Sequence, residues 1–192
     1  MNKKMALLII DMQNDFVKEG AVIEVKGIRK KMSKFKEFIE ALRNNGVFIV
    51  YSKHIFDPKL NPIEAELFPI LNSEGLREGT SGADIYSKIY PQKGDLIIKK
   101  RRYDAFYKTN LEKKLRLKKI NHVIITGTMT NVCCESTART AMMKDFKVLF
   151  CSDLTFASER ITHKNSLKTL STHFAKILTS KEIIKIVSNS QL

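Results

Sequence analysis

Short runs of apolar, mostly β-branched residues alternate along the chain with longer stretches whose apolar residues recur at helical spacing. Runs that are apolar on both faces are typical of parallel strands covered by helices on either side. We therefore predict five strands and a weaker sixth, at residues 6–10, 47–51, 96–98, 122–126, 148–150 and 176–178.

The stretches between these runs predict amphipathic helices at residues 28–43, 110–117, 136–144, 164–174 and 180–187. In the first of them, five apolar side chains fall on one face, namely Met32, Phe35, Phe38, Ile39 and Leu42. Alternating strands and helices imply right-handed crossovers. We therefore predict an α/β fold of three layers, α/β/α, with a doubly wound, mostly parallel sheet of about six strands. The long interval 52–94 predicts loops and short helices.

Length and composition favour a single domain over residues 1–192. The chain is 43% hydrophobic and 28% charged, and a chain of this size buries roughly 70% of its unfolded surface. Its apolar runs are too short to cross a membrane, and the six apolar residues before Asp11 are too few for a signal peptide. We expect a cytoplasmic protein that binds no membrane, with its three cysteines reduced.

The net charge of +14 raises the possibility of a nucleic-acid partner. Dense basic patches lie at residues 99–102 and 113–119. However, basic residues are spread over the whole chain, and no aromatic stacking motif, zinc finger or basic tail accompanies them. We expect a solvated, Lys-rich surface and no nucleic-acid partner. A nucleic-acid-binding protein on the same fold stays an alternative.

Polar residues at the predicted strand ends are candidates for chemistry, because ligands of doubly wound sheets bind beyond the carboxyl ends of the strands. Asp11 follows the first strand, Lys100 ends the third, and Cys133 follows the fourth at the start of a helix. Taken singly, Asp11 could cap a turn, Lys100 could be a surface lysine and Cys133 could be a packed thiol. Their coincidence on one rim of the sheet predicts a catalytic site.

The adjacent cysteines take different positions on the predicted helix. If the helix begins at Cys133, Cys134 lies on one face with Ala138, Ala141 and Met142 and belongs to the packed stripe. Cys133 lies about 100° away around the helix, where backbone amides and the helix dipole favour a thiolate. We therefore predict that Cys133 is a nucleophile of lowered pKa and that Cys134 is a core residue.

Four ordered blocks resemble the isochorismatase-like cysteine hydrolases, which include nicotinamidases, N-carbamoylsarcosine amidohydrolases and ureidoacrylate amidohydrolases. The blocks are LLIIDMQNDFV, GTSGADI, KRRYDAF and ITGTMTNVCCESTARTA. The end of the chain, DLTFAS and then LSTHFAKILTSKEII, resembles the family's closing strand and helix. The resemblance covers nearly the whole chain and implies one hydrolase domain of this family.

The resemblance implies that Asp11, Lys100 and Cys133 form a catalytic triad. The implied reaction is hydrolysis of an amide or ureido C–N bond in a small non-peptide substrate, through a thioester. The family's isochorismatases lack the cysteine and cleave a vinyl ether, so Cys133 argues against that activity.

The resemblance also implies a cis peptide bond between Thr128 and Met129. It implies an oxyanion hole formed by the backbone N–H groups of Met129 and Cys133. The residues expected to bind substrate are Phe16, Tyr103, Phe106 and Thr130.

Cofactors and partners follow from the same resemblance. Nicotinamidases bind a metal through an aspartate and histidines after the second strand, but VYSKHIFDPK contains only His54. A zinc-type site needs three or more ligands, so we predict neither metal nor cofactor. The expected partners are a small amide-type substrate and further copies of the chain, as a dimer or tetramer. A nicotinamidase proper and a thiol redox sensor remain alternatives.

Overall fold

The computed structural model describes residues 4–189 and has a parallel sheet of six strands in the order β3-β2-β1-β4-β5-β6. The strands are β1 (Met5–Ile10), β2 (Phe48–His54), β3 (Leu96–Lys100), β4 (His122–Thr128), β5 (Lys147–Phe156) and β6 (Lys176–Leu178). The chain therefore winds outward in both directions from the central pair β1 and β4, where the strand order reverses. The predicted fold class is confirmed.

Helices cover both faces of the sheet. One face packs against α2 (Met32–Asn44) and α8 (Ser180–Ser188), and the other against α5 (Leu111–Leu117), α6 (Glu135–Met143) and α7 (Arg160–His173). Within residues 4–189 there are also three short α-helices: α1 (Asn14–Val17), α3 (Pro62–Leu67) and α4 (Ile70–Ser73). Of residues 4–189, no helix is long and apolar enough to cross a bilayer.

Strand β1 shows why the sheet is buried on both faces. Leu7 and Ile9 pack into the core beneath α2 and α8, whereas Leu8 and Ile10 pack into the core on the opposite face. Burying one such side chain stabilises the fold by about 1.5–3 kcal/mol. The unbroken apolar run therefore places the polar residue that follows it, Asp11, at the carboxyl edge of a fixed strand.

Some element bounds differ from those predicted. Strand β5 continues to Phe156 because its polar residues are bonded within the fold: the Ser152 hydroxyl donates to the Leu178 carbonyl, and Asp153 pairs with Lys34. Residues 28–31 form a 3₁₀ turn before α2. Helix α7 begins at Arg160, earlier than the predicted residue 164.

Candidate active site

The carboxyl ends of β1, β3 and β4 bring Asp11, Lys100 and Cys133 to one point. The Lys100 ammonium nitrogen (Nζ) lies 2.6 Å from Oδ2 of Asp11, and neither side chain is exposed to solvent. The Cys133 thiol lies within 4.8 Å of a carboxylate oxygen of Asp11, and both Asp11 and Lys100 act on its pKa. The three predicted residues thus form one buried cluster of acid, cation and thiol.

Asp11 has an uncommon backbone conformation, with φ at 48° in the left-handed region. Its backbone N–H donates to Oγ of Ser52 over 3.2 Å, and the Ser52 hydroxyl donates to Oδ1 of Asp11 over 2.6 Å. Such a conformation persists where the surrounding structure fixes it, often at functional sites. Ser52, which the sequence did not single out, therefore orients the carboxylate.

Lys100 is held as a cation within the fold. Burial by itself lowers the pKa of Lys100, but the charge of Asp11, together with the interaction with the Cys133 sulfur, outweighs burial and raises it. Its ammonium also donates to the Arg102 carbonyl over 3.0 Å. Lys100 therefore supplies a fixed positive charge beside the thiol.

The segment before Cys133 has two unusual backbone features. The peptide bond between Thr128 and Met129 is cis, as the resemblance implied. Residues Thr130–Cys134 form a π-helical turn, in which the Cys134 N–H donates to the Met129 carbonyl over 3.1 Å. Single π turns occur frequently at functional sites. The oxyanion hole assigned to Met129 and Cys133 stays a prediction.

The prediction of a lowered pKa for Cys133 is wrong. Burial raises the pKa of this thiol well above its usual range, because the side chain is 4% exposed and desolvation disfavours the thiolate. The charge of Lys100 lowers the pKa, but Asp11 raises it. The thiol is therefore protonated at rest and needs a base to become a nucleophile.

Cys134 is a core residue, as predicted. It is fully buried with Ala138 and Ala141 under α6, and its thiol contacts the Thr126 carbonyl at 3.9 Å. The two neighbouring thiols thus differ in environment: Cys133 borders a cavity, whereas Cys134 faces packed side chains.

A cavity of about 200 Å³, named here the Cys133 cavity, opens beside the thiol. It is lined by Phe16, Ile23, His54, Glu64, Leu67, Phe68, Leu71, Leu76, Tyr103, Met129, Val132 and Cys133. Two of the residues predicted to bind substrate, Phe16 and Tyr103, lie in this lining. Most of the other wall residues come from the interval 52–94, where loops and short helices were expected.

A buried polar pair forms part of the cavity wall. Nε2 of His54 lies 3.1 Å from Oε1 of Glu64, and the Asn61 amide donates to Oε2 of Glu64 over 2.9 Å. Gln13 fixes the His54 backbone, because its side chain accepts from the His54 N–H and donates to the His54 carbonyl. Sequence reasoning missed Glu64, because nothing in a long loop indicates which of its carboxylates turns inward.

The Isochorismatase domain family matches residues 5–182 of this sequence. The chain belongs to the isochorismatase domain family. The resemblance inferred from the four sequence blocks is thus confirmed, and it covers the strands that carry the acid, the lysine and the thiol.

Individual isochorismatase-family relatives and structures agree with this assignment. Ureidoacrylate amidohydrolase RutB of Yersinia enterocolitica is 30% identical, over 88% of this chain and 83% of that protein. Nicotinamidase 3 of Arabidopsis thaliana is 31% identical, over 92% of this chain and 85% of that protein. The crystal structure of a cysteine hydrolase from Pseudomonas syringae pv. phaseolicola 1448A superposes with a TM-score of 0.92 at 26% identity, covering 97% of this chain and 93% of that one.

A metal ion does not fit the donors that this isochorismatase-family site presents. Ligand atoms of Asp11, His54 and Cys133 lie within 4.8 Å of one another. However, the Asp11 carboxylate already pairs with the Lys100 ammonium, and a divalent cation there would meet a like charge. His54 faces Glu64 instead. The absence of a metal stays a prediction.

Phe106 and Thr130 lie outside the Cys133 cavity. The Phe106 ring packs against Phe146, with ring centroids 5.8 Å apart, in the core beneath α5 and α6. Thr130 is fully buried, and its hydroxyl lies 2.9 Å from Nδ1 of His163 on α7. Because packing turns both side chains away from the cavity, they have no place in its lining.

A larger depression, of about 1020 Å³, lies at the opposite edge of the sheet. Lys4, Val47 and Lys118 are among its lining residues, which come from the amino ends of the strands. Its lining contains none of the residues predicted for the site. The smaller cavity at the carboxyl edge, which Cys133 borders, is therefore the candidate active site.

Proposed function

We propose that the protein is a metal-independent cysteine amidohydrolase that cleaves a C–N bond in a small, non-peptide amide or ureido compound. The observation that carries this proposal is the buried cluster of Asp11, Lys100 and Cys133 beside a cavity of about 200 Å³. An acid, a fixed cation and a thiol gathered in one buried cluster supply a base, a charge and a nucleophile.

In the first step, Asp11 takes the proton of the Cys133 thiol while the sulfur attacks the substrate carbonyl carbon. A carbon–sulfur bond forms, and the carbonyl electron pair moves onto the oxygen. The Lys100 charge stabilises the developing thiolate, which burial otherwise disfavours. Backbone N–H groups of Met129 and Cys133 would stabilise the oxyanion by about 3 kcal/mol per donor.

In the second step, the protonated Asp11 gives its proton to the leaving nitrogen and the C–N bond breaks. Ammonia or an amine leaves, and the acyl group stays on Cys133 as a thioester. Water then attacks the thioester, with Asp11 again acting as the base. The acid product leaves, and the thiol regains its proton.

The relatives suggest the substrate class. Ureidoacrylate amidohydrolase and nicotinamidase are named for a ureido compound and an aromatic amide. Both carry a small non-peptide C–N bond, as the proposal requires. Nicotinamidase proper stays a candidate, because the cavity wall includes Phe16, Phe68 and Tyr103.

A thiol redox sensor is the weaker candidate. Such a sensor needs an accessible thiol of low pKa. The Cys133 thiol is 4% exposed, and burial raises its pKa. Both properties favour a thiol that reacts inside a cavity over one that meets oxidants in solution.

Alanine at Cys133 tests the proposal. We expect Cys133→Ala, Lys100→Ala and Asp11→Asn each to lower kcat by at least about 1,000-fold, since each removes a member of a unit that acts together. Ammonia release from a panel of small amides, ureido acids and nicotinamide measures the activity. Circular dichroism and thermal unfolding check that each variant folds.

Cys134→Ala is the matched control, because it removes a neighbouring buried thiol that faces the core. It should keep kcat within a few-fold of the parent protein while lowering stability. Full activity in Cys133→Ala together with loss of activity in Cys134→Ala would overturn the assignment of the nucleophile.

A further inference from the structure

The Cys133 cavity has an unusual distribution of charge. Apart from the thiol and the Tyr103 hydroxyl, its polar side chains are those of His54 and Glu64. Among residues 4–189, no arginine or lysine lies in the lining. A substrate carboxylate placed there would meet no lysine or arginine side chain among the described residues, and His54 already faces Glu64.

The lysine of the site is fully buried and does not line the Cys133 cavity. The Lys100 side chain has no exposed surface and pairs with Asp11 at 2.6 Å. Its ammonium also donates to the Arg102 carbonyl. Pairing a substrate carboxylate with Lys100 would require displacing Asp11, the proposed base.

The nearby arginines are also engaged. Arg77 donates to three backbone carbonyls and stacks over the Phe56 ring, with 4.8 Å between the guanidinium carbon and the ring centroid. Arg102 donates to the carbonyls of Arg101 and Leu60. Their hydrogen bonds hold both guanidinium groups against the backbone.

Glu64 contributes a negative charge to the wall. Burial raises its pKa, but the hydrogen bond and charge of His54, with further help from Asn61 and Lys100, outweigh burial and lower it. The pKa of Tyr103 is raised to about 12, first by burial and then by the charge of Glu64. Glu64 is therefore an anion at neutral pH, and its negative charge contributes to the electrostatic potential inside the cavity.

The groups around the cavity carry no net positive charge. The charges of Asp11 and Lys100 cancel, and Glu64 adds a carboxylate that faces His54. A like charge placed within a few ångströms in a partly desolvated site is strongly disfavoured. The remaining wall is aliphatic and aromatic, which suits an apolar group.

We propose that the Cys133 cavity selects amides or ureides whose non-reacting part is uncharged or cationic, and discriminates against those that carry a carboxylate. Glu64 is the residue that sets this preference. The inference rests on the proposed amidohydrolase function and narrows its substrate class. It also sets this chain apart from an enzyme for an acidic ureido compound, which its similarity to the Yersinia protein would suggest.

The surface charge of the chain favours anionic ligands and therefore opposes the preference proposed for the cavity. A net charge of +14 attracts anions to the molecule and speeds their encounter with it. Encounter over the surface is screened by salt within about 8 Å at physiological ionic strength. The charges that line the cavity decide which molecules bind inside it.

Matched substrate pairs test the inference. Each pair presents the same amide or ureide once as a carboxylate and once as its neutral methyl ester, for example 3-ureidopropionate and methyl 3-ureidopropionate, so that ammonia comes only from the amide or ureido group under test. We expect kcat/KM for the neutral members to exceed that for the carboxylates by about 10- to 100-fold. Glu64→Gln, which keeps the shape of the side chain, should shrink this ratio at least severalfold by raising kcat/KM for the carboxylates.

Glu66→Gln is the control, because it removes the same charge from the same short helix at an exposed position. In Glu66→Gln, the ratio of kcat/KM for the neutral substrates to kcat/KM for the carboxylates should match the ratio in the parent protein. Carboxylate members that turn over as fast as the neutral ones, or a ratio unchanged in Glu64→Gln, would overturn the inference and leave the proposed function standing. If no member of the panel releases ammonia, both the inference and the proposed function are overturned.

Discussion

At the scale of single residues, the reactivity of Cys133 depends on two opposing effects. Desolvation disfavours the thiolate, whereas the ammonium of Lys100 stabilises it, and desolvation wins. A thiol that stays protonated at rest is protected from stray electrophiles and oxidants. It becomes a nucleophile when a carbonyl group is in place and Asp11 accepts the proton.

The raised pKa of Cys133 predicts its reactivity as a function of pH. At any given pH a raised pKa leaves less thiolate, so alkylation by iodoacetamide should be slow at pH 7 and still rising at pH 10. Mass spectrometry of the peptide that contains Cys133 measures the rate, with a short cysteine peptide as reference. Lys100→Ala should slow alkylation further, and a rate for Cys133 that levels off below pH 8 contradicts the prediction.

At the scale of elements, the junction of β1 and β4 determines where the site forms. Gly127 has φ at 113°, and a Cβ there would lie 2.1 Å from the Ile10 carbonyl oxygen. Asp11 follows Ile10, and the cis bond at Thr128 follows Gly127. Close approach of the two strands, which glycine permits, thus brings the acid and the turn that carries the thiol together.

Alanine at Gly127 should therefore be far more damaging than alanine at a glycine with open space around it. Gly94 has a similar φ of 101°, and a Cβ added there would meet nothing within 4 Å. Gly94→Ala should cost about 1–2 kcal/mol for the left-handed backbone, whereas Gly127→Ala should cost roughly 3 kcal/mol or more because the strands must separate. Urea unfolding measures both, and equal losses would contradict the argument.

At the scale of the whole molecule, one short segment that borders the Cys133 cavity exposes several large apolar side chains. Residues 60–70 expose five large apolar side chains: Leu60, Ile63, Leu67, Phe68 and Ile70. Leu67 and Phe68 also line the cavity. We propose that a second copy of the chain covers this patch, in line with the expected dimer or tetramer. Such patches on soluble proteins mark interaction sites, and covering this one would enclose the substrate.

A charge placed in this patch should dissociate the assembly. Leu67→Lys is expected to shift the protein to monomers in sedimentation equilibrium and to lower activity, since a desolvated lysine disfavours the interface. Leu117→Lys is the matched control, because Leu117 is 70% exposed and Leu67 is 74% exposed. Leu117→Lys should keep the parent assembly. A parent protein that is monomeric at micromolar concentration would contradict the proposal.

The net charge of +14 is also a property of the whole molecule. Several basic side chains pair with carboxylates on the surface, among them Lys53 with Asp84, Lys99 with Glu78 and Lys144 with Glu112. Exposed pairs of this kind contribute little stability, but each pair locally offsets the charge of one basic side chain. The absence of a nucleic-acid partner stays a prediction.

The fold class was predictable from sequence because its determinants are local. Apolar runs such as residues 6–10 and 122–126 specify strands buried on both faces, and the helical stripes between them specify the layers. The meeting of Asp11, Lys100 and Cys133 was also predictable, since the carboxyl ends of parallel strands share one edge. The position of Cys134 in the core was predictable from helical periodicity alone.

Only the tertiary structure decided properties that depend on the surroundings of a side chain. The pKa of Cys133 is raised because of desolvation by neighbours distant in sequence. Phe106 lies near the predicted site in sequence, yet packing turns it into the core. The pairing of His54 with Glu64 joins a strand end to a short helix in a long loop. Local sequence patterns specify the helices and strands and the strand ends at which polar residues collect. The burial and the direction of a side chain depend on all the elements that pack around it.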